Sequence, residues 1–272
     1  MVGTFTIDGV NSYSSYGVII VEGGYAGLAD YPSLKKFESV DYPEEDGLDA
    51  DLAEPILDTR NFNVKFASLK GGNIDGFFSK ITDGAYHTIG FDEVCISKKL
   101  RYVSNGSTTY DPRIRLFSMT FADDFPLEGY TYAAPQKTIG ATTDVCIDGV
   151  PLSNYSIIIT DGTNGSIYAK AAAKENLLTN VINKAGAIYD EYFVKRKTRT
   201  VTLQCVMICK SWSQFWQNHD ALLYDLTRKN ARVLSAGGCT VGNCYFGGCN
   251  SDKLTVSGTC VWWEFSLSLT II

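Results

Sequence analysis

The sequence is poor in histidine, methionine and proline. Its 272 residues include two His, three Met and seven Pro, and 20 % of residues are charged. No apolar run approaches the ~20 residues of a membrane helix, so we expect no membrane span. Residues 1–5 show no basic region before an apolar stretch, so we expect no secretory signal. The eight cysteines are accordingly predicted to be free thiols in a reducing compartment.

Aromatic and β-branched residues are plentiful. The chain has 16 Tyr, 14 Phe and 4 Trp, and an apolar fraction of 45 % that can form a core. This mixture favours strands over helices. The net charge of −6 argues against a dedicated nucleic-acid binder, which would carry a basic face. Residues 1–140 carry 12 basic and 20 acidic side chains, against 12 and 10 in residues 141–272, so unlike halves are suited to meet in an assembly.

An internal repeat is the main signal. Ile7–Val10 recurs as Ile147–Val150, and both copies are followed by Tyr and a run of branched apolar residues. Further matches share one constant separation along the chain: Tyr16 with Tyr155, Gly47 with Gly186, and Arg60 with Arg199. Matches in one register predict two diverged copies of one domain, residues 1–140 and 141–272, with the boundary near Gly140.

The periodicity predicts similar elements in the two halves. Alternating apolar residues predict a strand after each arginine: Phe62, Val64 and Phe66, then Val201, Leu203 and Cys205. Apolar residues spaced by three and four predict one helix per half. The stripe runs from Trp212 to Leu226 in the second half, with Ser211 as N-cap, and from Ile74 to Ile81 in the first, where Gly84 would stop the helix. The predicted fold class is mainly β with flanking helices: two tandem β-sandwich domains, each with two packed sheets and one helix.

Two local expectations concern turns and a helix-like segment. Asn105-Gly106 and Asn164-Gly165 are predicted to form hairpin turns. The alanine-rich stretch after residue 169 has helical propensity, but its counterpart in the first half contains Pro32 and Pro43. We therefore expect Leu177–Asn183 to be extended, with at most a short helical turn around Ala171.

The sequence offers only weak candidates for a metal-binding or catalytic site. Cys239, Cys244 and Cys249 come close to zinc-ligand spacing, but within a glycine-rich hairpin pattern, so no metal is predicted and their metal binding stays open. His87 and His219 have no counterparts in the opposite half, whereas a duplicated enzyme would show two similar sites. We expect no enzyme and no cofactor.

A binding module is the alternative function. The tryptophans Trp212, Trp216, Trp262 and Trp263, with Phe215, could form a surface that stacks on sugars. Core packing accounts better for the first set, and only one of two adjacent strand residues faces outward. A two-domain β-sandwich that binds carbohydrate or a surface partner therefore ranks second.

Four segments of the first half carry a resemblance to a known family: residues 5–10, 16–20, 43–49 and 60–64. Their order and composition resemble the opening of distal tail proteins of long-tailed bacteriophages, which share a fold with tail-tube proteins. The second half repeats the same order of features. The resemblance implies two packed β-sheets, a flanking helix and a long hairpin per domain.

The resemblance also implies a mechanical function. Such domains assemble into a ring of six around a channel through which DNA passes non-specifically. A chain with two domains would need three copies for a pseudo-hexameric ring, which the repeat favours, although a hexamer is possible. The implied setting is the virion tail of a phage or prophage, assembled in the host cytoplasm with other tail proteins and without a membrane.

The charge difference between the halves predicts which residues meet in such a ring. An acidic segment of one chain is expected to contact a basic segment of its neighbour. The candidates are Asp41, Glu44, Glu45, Asp46, Asp49 and Asp51 on one side, and Lys195, Arg196, Lys197 and Arg199 on the other. The acidic residues could instead line the channel and repel DNA, or form a solvated face.

Overall fold

A computed structural model describes residues 3–110, 114–138, 140, 142–174, 178–180, 182–183, 185–189 and 194–272. Within these ranges the protein is mainly β, with large antiparallel sheets and few helices. The predicted fold class, mainly β with flanking helices, is confirmed. The boundary near Gly140 and the origin of the halves by duplication stay predictions.

The first half is built on one antiparallel sheet of seven strands. Its elements are β1 (Phe5–Ile7), β2 (Val10–Asn11), α1 (Ser12–Tyr16), β3 (Val18–Ile20), β4 (Ser39–Val40), β5 (Asp49–Ala50), β6 (Arg60–Leu69), α2 (Ile74–Ile81), β7 (Tyr86–Phe91), β8 (Ile96–Tyr110) and β9 (Ile114–Asp123), with 3₁₀ turns at Ala26–Ala29 and Asp92–Val94. The strand order is β2-β1-β7-β8-β9-β6-β3, and β4 and β5 form a separate hairpin.

The second half has a second sheet of seven strands. Its elements are β10 (Cys146–Ile147), β11 (Val150–Pro151), a 3₁₀ turn (Leu152–Tyr155), β12 (Ile157–Ile159), α3 (Thr163–Tyr168), β13 (Leu178–Asn180), β14 (Ala187–Tyr189), β15 (Arg199–Cys209), α4 (Trp212–Leu226), β16 (Arg232–Ala236), β17 (Cys239–Ser257) and β18 (Cys260–Ile271). The order β11-β10-β16-β17-β18-β15-β12 repeats that of the first sheet, and β13 and β14 form the separate hairpin.

Each sheet is one continuous ladder, although two packed sheets were expected in each half. In the first half, Gly3 and Ile20 exchange main-chain hydrogen bonds of 3.0 and 2.9 Å. These bonds join the β3 edge to the chain two residues before β1, so the sheet curls around its own core. A curled sheet covers both sides of that core without a break in strand pairing. Strands with one buried face, from which two packed sheets were expected, can therefore belong to one sheet.

The alternating strands bury the side chains that the sequence predicts. Phe62, Val64 and Phe66 of β6 are at most 4 % exposed, and Asn61, Asn63 and Lys65, which alternate with them, are exposed. The central strands of the second half, β15 and β18, show the same period of two. Burying one face of each strand drives the collapse of both sheets.

Both predicted helices are present, and α4 begins after Ser211 as predicted, whereas α2 ends at Ile81, before the predicted stop at Gly84. In α4, the Ser211 side chain accepts a hydrogen bond from the Gln214 N–H, and the buried stripe faces the sheet. In α2, Asn73 caps in the same way through the Gly76 N–H. The short helices α1 and α3 are additional to the one helix expected in each half.

Both predicted asparagine–glycine hairpin turns are wrong. Asn105 and Gly106 lie inside β8, where the pairing with β9 shifts register. A Cβ on Gly106 would lie 2.2 Å from Ser118 Oγ, so glycine serves close strand packing there. Asn164 and Gly165 lie in α3.

The helix-like segment is extended where it is described. The prediction of an extended chain holds for Leu178–Asn180 in β13, whereas residues 182 and 183 form a turn and Leu177 lies outside the described residues. The chain around Ala171 has no helical turn.

Candidate assembly interface

Aromatic side chains from both halves meet in one core. Tyr31 of the first half packs with its ring 5.6 Å from that of Trp263 in β18 and 4.5 Å from that of His219 in α4. The Tyr31 hydroxyl donates to the His219 carbonyl at 2.8 Å, and Trp216 Nε1 donates to the Val94 carbonyl at 2.7 Å. Buried hydrogen bonds and ring packing therefore join the halves.

A buried lysine of the second half receives a loop of the first. Lys174 has a side chain that is 5 % exposed, and its ammonium donates to the Asp41 carboxylate, to the Tyr42 carbonyl at 2.7 Å and to the Gly47 carbonyl at 2.9 Å. An ammonium has three donors, so the loop satisfies all of them. Sequence reasoning missed Lys174, whose available signal was a charge directly after three alanines.

Main-chain bonds reinforce the same contact. Gly47 N–H donates to the Arg196 carbonyl at 2.8 Å, and Arg196 N–H donates to the Asp46 carboxylate at 2.7 Å. Gly47 has a φ of 73° and lies against Ile272, where a Cβ would come within 2.6 Å of the Ile272 carbonyl carbon. Glycine is therefore required at this position for both conformation and space.

Further along the segment, Asn230 N–H of the second half donates to the Leu52 carbonyl at 2.7 Å. Lys229 Nζ lies 3.4 Å from Glu54, an exposed pair that contributes little. The acidic segment of the first half thus lies across the second half of its own chain.

The predicted ring contacts are only partly brought together within the chain. Asp41 binds Lys174 rather than one of the four predicted basic residues. Asp46 meets Arg196, but through the main-chain N–H, and the Arg196 guanidinium donates to the Ala171 carbonyl. The Asp51 carboxylate accepts from Ala53 N–H, while Glu44, Glu45 and Asp49 are exposed. Lys195 is half-buried and Lys197 exposed, and a contact of these ten residues with a neighbouring chain stays a prediction.

Each of the two matching arginines binds two main-chain carbonyls, one of which matches between the halves. Arg60 donates to the carbonyls of Leu28, at 3.0 Å, and Asp30. Arg199 donates to the carbonyls of Ser166 and Ile167, each at 3.0 Å. Leu28 and Ile167 are separated along the chain by the same interval as the two arginines. Arg199 is therefore engaged inside its own half.

The repeated Ile-Asp-Gly-Val motif forms the same turn in both halves. Asp8 has a φ of 51°, a left-handed conformation that Asp tolerates. Its carboxylate accepts from Thr88 N–H at 2.9 Å and from His87 Nδ1 at 2.8 Å, and Lys80 of α2 lies 2.9 Å away. Burial raises the pKa of Asp8, but the hydrogen bonds from His87, Lys80 and Thr88 outweigh it and hold this pKa well below its usual range.

The second copy of the turn uses two arginines. Asp148 also has a φ of 51°, and its carboxylate accepts from Val233 N–H and Arg232 Nη1 at 2.8 and 2.7 Å. Arg228, two residues after the end of α4, adds a bond of 3.2 Å. In each half, the turn thus joins a sheet edge to a helix end. The matching side chain that binds the aspartate is His87 in the first half and Arg232 in the second.

Neither histidine is arranged as an open general base. His87 is 3 % exposed and lies between Asp8 and Asp83, with both ring nitrogens hydrogen-bonded. His219 is also 3 % exposed, and its nitrogens face Asp220 and the Ala29 carbonyl. A general base must reach a substrate proton, and the neighbours of both rings occupy that position.

The cysteines are eight free thiols. Of the candidate cluster on β17, Cys239 is exposed, Cys244 is buried and Cys249 is half-buried. Burial raises the pKa of Cys244 to about 12. The described residues contain no group of three His, Cys, Asp or Glu placed to hold a metal ion. In the same part of the chain, no helix is long and apolar enough to cross a membrane.

A groove of about 720 Å³ lies between the halves. Tyr25 and Glu93 line it from the first half, and Trp212 and Asp252 from the second. The Tyr25 hydroxyl is buried and has no hydrogen-bond partner among the described residues. The groove combines an aromatic ring with carboxylates, a combination that suits hydroxyl-bearing ligands.

Comparison with known proteins found similarity among solved structures only. No protein-family model matches the chain, and no curated protein matches it. Among solved structures, one match is the SPP1 Dit (gp 19.1) protein, described as a paradigm of hub adsorption apparatus in phages that infect Gram-positive bacteria. The match covers 100 % of this chain and 98 % of that chain at 10 % identity, with a TM-score of 0.34. A likeness this weak carries no argument about function.

Proposed function

We propose that the protein is a structural component of a phage or prophage tail, of the distal-tail, tube or hub type, which self-assembles into a ring around the DNA channel. The observation that carries this proposal is the contact between unlike halves: a loop of the first half is received by Lys174 of the second. The sequence resemblance to distal tail proteins is the reason for proposing a phage tail as the assembly.

A head-to-tail contact between unlike surfaces is the type from which closed rings are built. The two halves have sheets of the same strand order and the same aspartate turn. Each half therefore offers the same kinds of surface to its neighbours. Three chains would provide six such halves, and this trimer is preferred to a hexamer because the repeat lies within one chain.

A passive role fits the chemistry of the described residues. Both imidazoles have buried, hydrogen-bonded nitrogens, and the Cys205 and Cys244 thiols are buried and held protonated by a raised pKa. In the proposed tail, exposed carboxylates such as Glu44 and Glu45 would repel DNA wherever they face the channel, so that DNA slides without binding. The proposed role involves no catalysis and no cofactor. The proposed partners are other tail proteins.

The proposal is tested by the mass and shape of the purified chain. Light scattering and negative-stain imaging should find rings of three or six copies with a central hole between ~1 and ~100 µM, the range of moderate association. A strict monomer over this whole range refutes self-assembly by this chain.

Carbohydrate binding is the second candidate, and the groove between the halves favours it. Trp212 lines the groove and Tyr25 supplies a buried hydroxyl without a partner among the described residues. A glycan array with the wild type and Trp212→Ala distinguishes the two functions. Binding that the substitution abolishes supports the module, and an array without signal removes this candidate.

A further inference from the structure

The contact around Lys174 is built on a small two-stranded platform that occurs twice in the chain. In the second half, Ala173 bridges to Arg196, Lys174 N–H donates to the Lys195 carbonyl at 2.8 Å, and Lys197 N–H donates to the Ala172 carbonyl at 2.8 Å. We call residues 172–174 and 195–197 the occupied platform, because the first half's loop covers it.

The first half has the same platform in the same register. Leu34 bridges to Leu57, Lys35 N–H donates to the Ile56 carbonyl at 2.7 Å, and Asp58 N–H donates to the Ser33 carbonyl at 2.8 Å. Every position precedes its counterpart by the interval that separates Arg60 from Arg199, so Lys35 corresponds to Lys174. We call residues 33–35 and 56–58 the open platform.

The element that covers the occupied platform also occurs twice. It is the hairpin β4–β5 with its loop, in which Ser39 pairs with Ala50 and Val40 with Asp49. The hairpin β13–β14 has the same register, with Leu178 opposite Tyr189 and Thr179 opposite Ile188. The interval between matching positions is again that of the repeat, and Gly186 has a φ of 81° where Gly47 has 73°.

The part of the chain that the structure describes therefore contains two platforms and two hairpins, and within it one platform is seen to receive one hairpin. Lys174 is buried with all its donors satisfied, whereas Lys35 is exposed and its ammonium has no partner among the described residues. Ile56 on the open platform is 57 % exposed. On the unused hairpin, Ile188 is 52 % and Ile182 fully exposed.

We propose that the hairpin β13–β14 of one copy docks on the open platform of the next copy and there receives Lys35, which repeats between chains the contact that Lys174 makes within the chain. This inference rests on the proposed self-assembly and names its contact. The occupant is a second copy of this chain, because the fitting hairpin is its own and the mode of fit is already present inside it.

The acceptors that this contact needs are largely independent of sequence. Two of the three acceptors of Lys174 are main-chain carbonyls, those of Tyr42 and Gly47. The third is Asp41, and the matching residue of the second hairpin is Asn180. Without that carboxylate, the contact between chains is expected to be weaker and more reversible than the contact within one.

The outward edge of the open platform is also ready to pair. In the occupied platform, the Arg196 N–H and carbonyl both bond to the arriving loop. The matching groups of Leu57 form no hydrogen bond with a described residue, because the bridge to Leu34 is made by the flanking bonds of Lys35 and Asp58. An unpaired strand edge of this kind is a template for main-chain hydrogen bonds from a second chain.

The test compares Lys35→Ala with Lys36→Ala, an exposed neighbour in sequence, by sedimentation of the full chain. We expect the dissociation constant to rise roughly tenfold or more for Lys35→Ala, as for the loss of a charge-assisted contact, and to stay at the wild-type value for Lys36→Ala. At a concentration where all three proteins are monomeric, their denaturant midpoints should agree, because the Lys35 ammonium has no partner among the described residues of its own chain.

A second measurement locates the contact directly. A photo-reactive phenylalanine replaces Ile182, and isotopically light and heavy chains are mixed before irradiation. Mass spectrometry should find residue 182 joined to the open platform in light–heavy pairs. Cross-links to other surfaces would overturn the contact.

The two proposals fail in different ways. Wild-type rings that Lys35→Ala leaves at full affinity refute the hairpin contact and leave the proposed function intact. A wild-type chain that is monomeric throughout refutes both. An open filament in place of a ring supports the contact but shows that its rotation does not close.

Discussion

Replacing Asp148 with Asn should destabilise the second half, although shape and volume are conserved. Asn keeps an oxygen for the Val233 N–H and tolerates the φ of 51°. It loses the negative charge that faces Arg232 at 2.7 Å and Arg228 at 3.2 Å. The Arg232 side chain is 9 % exposed, so its charge would remain buried without a counter-charge.

The expected loss in the free energy of unfolding is about 2–3 kcal/mol. Hydrogen bonds to charged groups contribute about 1.5–3 kcal/mol each, and breaking one side of a buried pair costs about 3–5 kcal/mol. Asp148 is 24 % exposed, and Arg228 is 43 % exposed, so solvent screens part of the interaction. Because both partners are partly exposed, the expected loss lies below the about 3–5 kcal/mol of a fully buried pair.

Chemical denaturation of both proteins at neutral pH measures this loss, with Asp161→Asn as the matched control. Asp161 is exposed in the same half, and its substitution should stay within about 0.5 kcal/mol of wild type. If Asp148→Asn also stays within that limit, the aspartate turn does not hold Arg232, and the structural explanation of the repeated motif is wrong.

Three further outcomes are expected. Lys174→Met removes three donors at nearly constant length, so limited proteolysis should cut residues 41–54 several-fold faster than in wild type. The Arg101 hydrogen bond lowers the pKa of Asp124 from 3.8 to about 2. The stability that ionised Asp124 contributes is complete above pH 4 and is lost as the pH falls towards 2. The denaturant midpoint of the wild type should fall over this range, and that of Asp124→Asn should lack this part of the fall. A thiol reagent should modify exposed Cys95 and Cys239 in the native protein and spare the buried thiols until unfolding, as mass spectrometry would record.

Local rules of sequence predicted the parts of the fold that depend on near neighbours. The presence and the start of the helix over 212–226 were predictable, because the apolar spacing indicates the helix and Ser211 caps its first turn. The strand after each matching arginine followed from alternation alone. The repeat also indicated positions of matching conformation, such as Gly47 and Gly186, which both have positive φ.

Contacts between distant residues were not predictable in this way. The motif at Asp8 was visible, but its partner His87 reaches it only through strand pairing. Lys174 resembles any surface lysine until the loop of the first half folds over it. The Asn105-Gly106 pair fits a turn rule, yet close packing against Ser118 places it inside a strand. In each case a tertiary contact overrides or completes a local preference.

The shared aromatic core has a consequence for geometry. Tyr31, His219 and Trp216 lock one sheet against the other, so the angle between the two sheets is set during folding of a single chain. In a ring of such chains, every second contact between halves would lie within one chain. Its angle would be fixed before assembly, so that contact would lose no orientational freedom when the ring closes. Curvature would then be largely a property of the monomer, and variation in ring size would be confined to the junctions between chains.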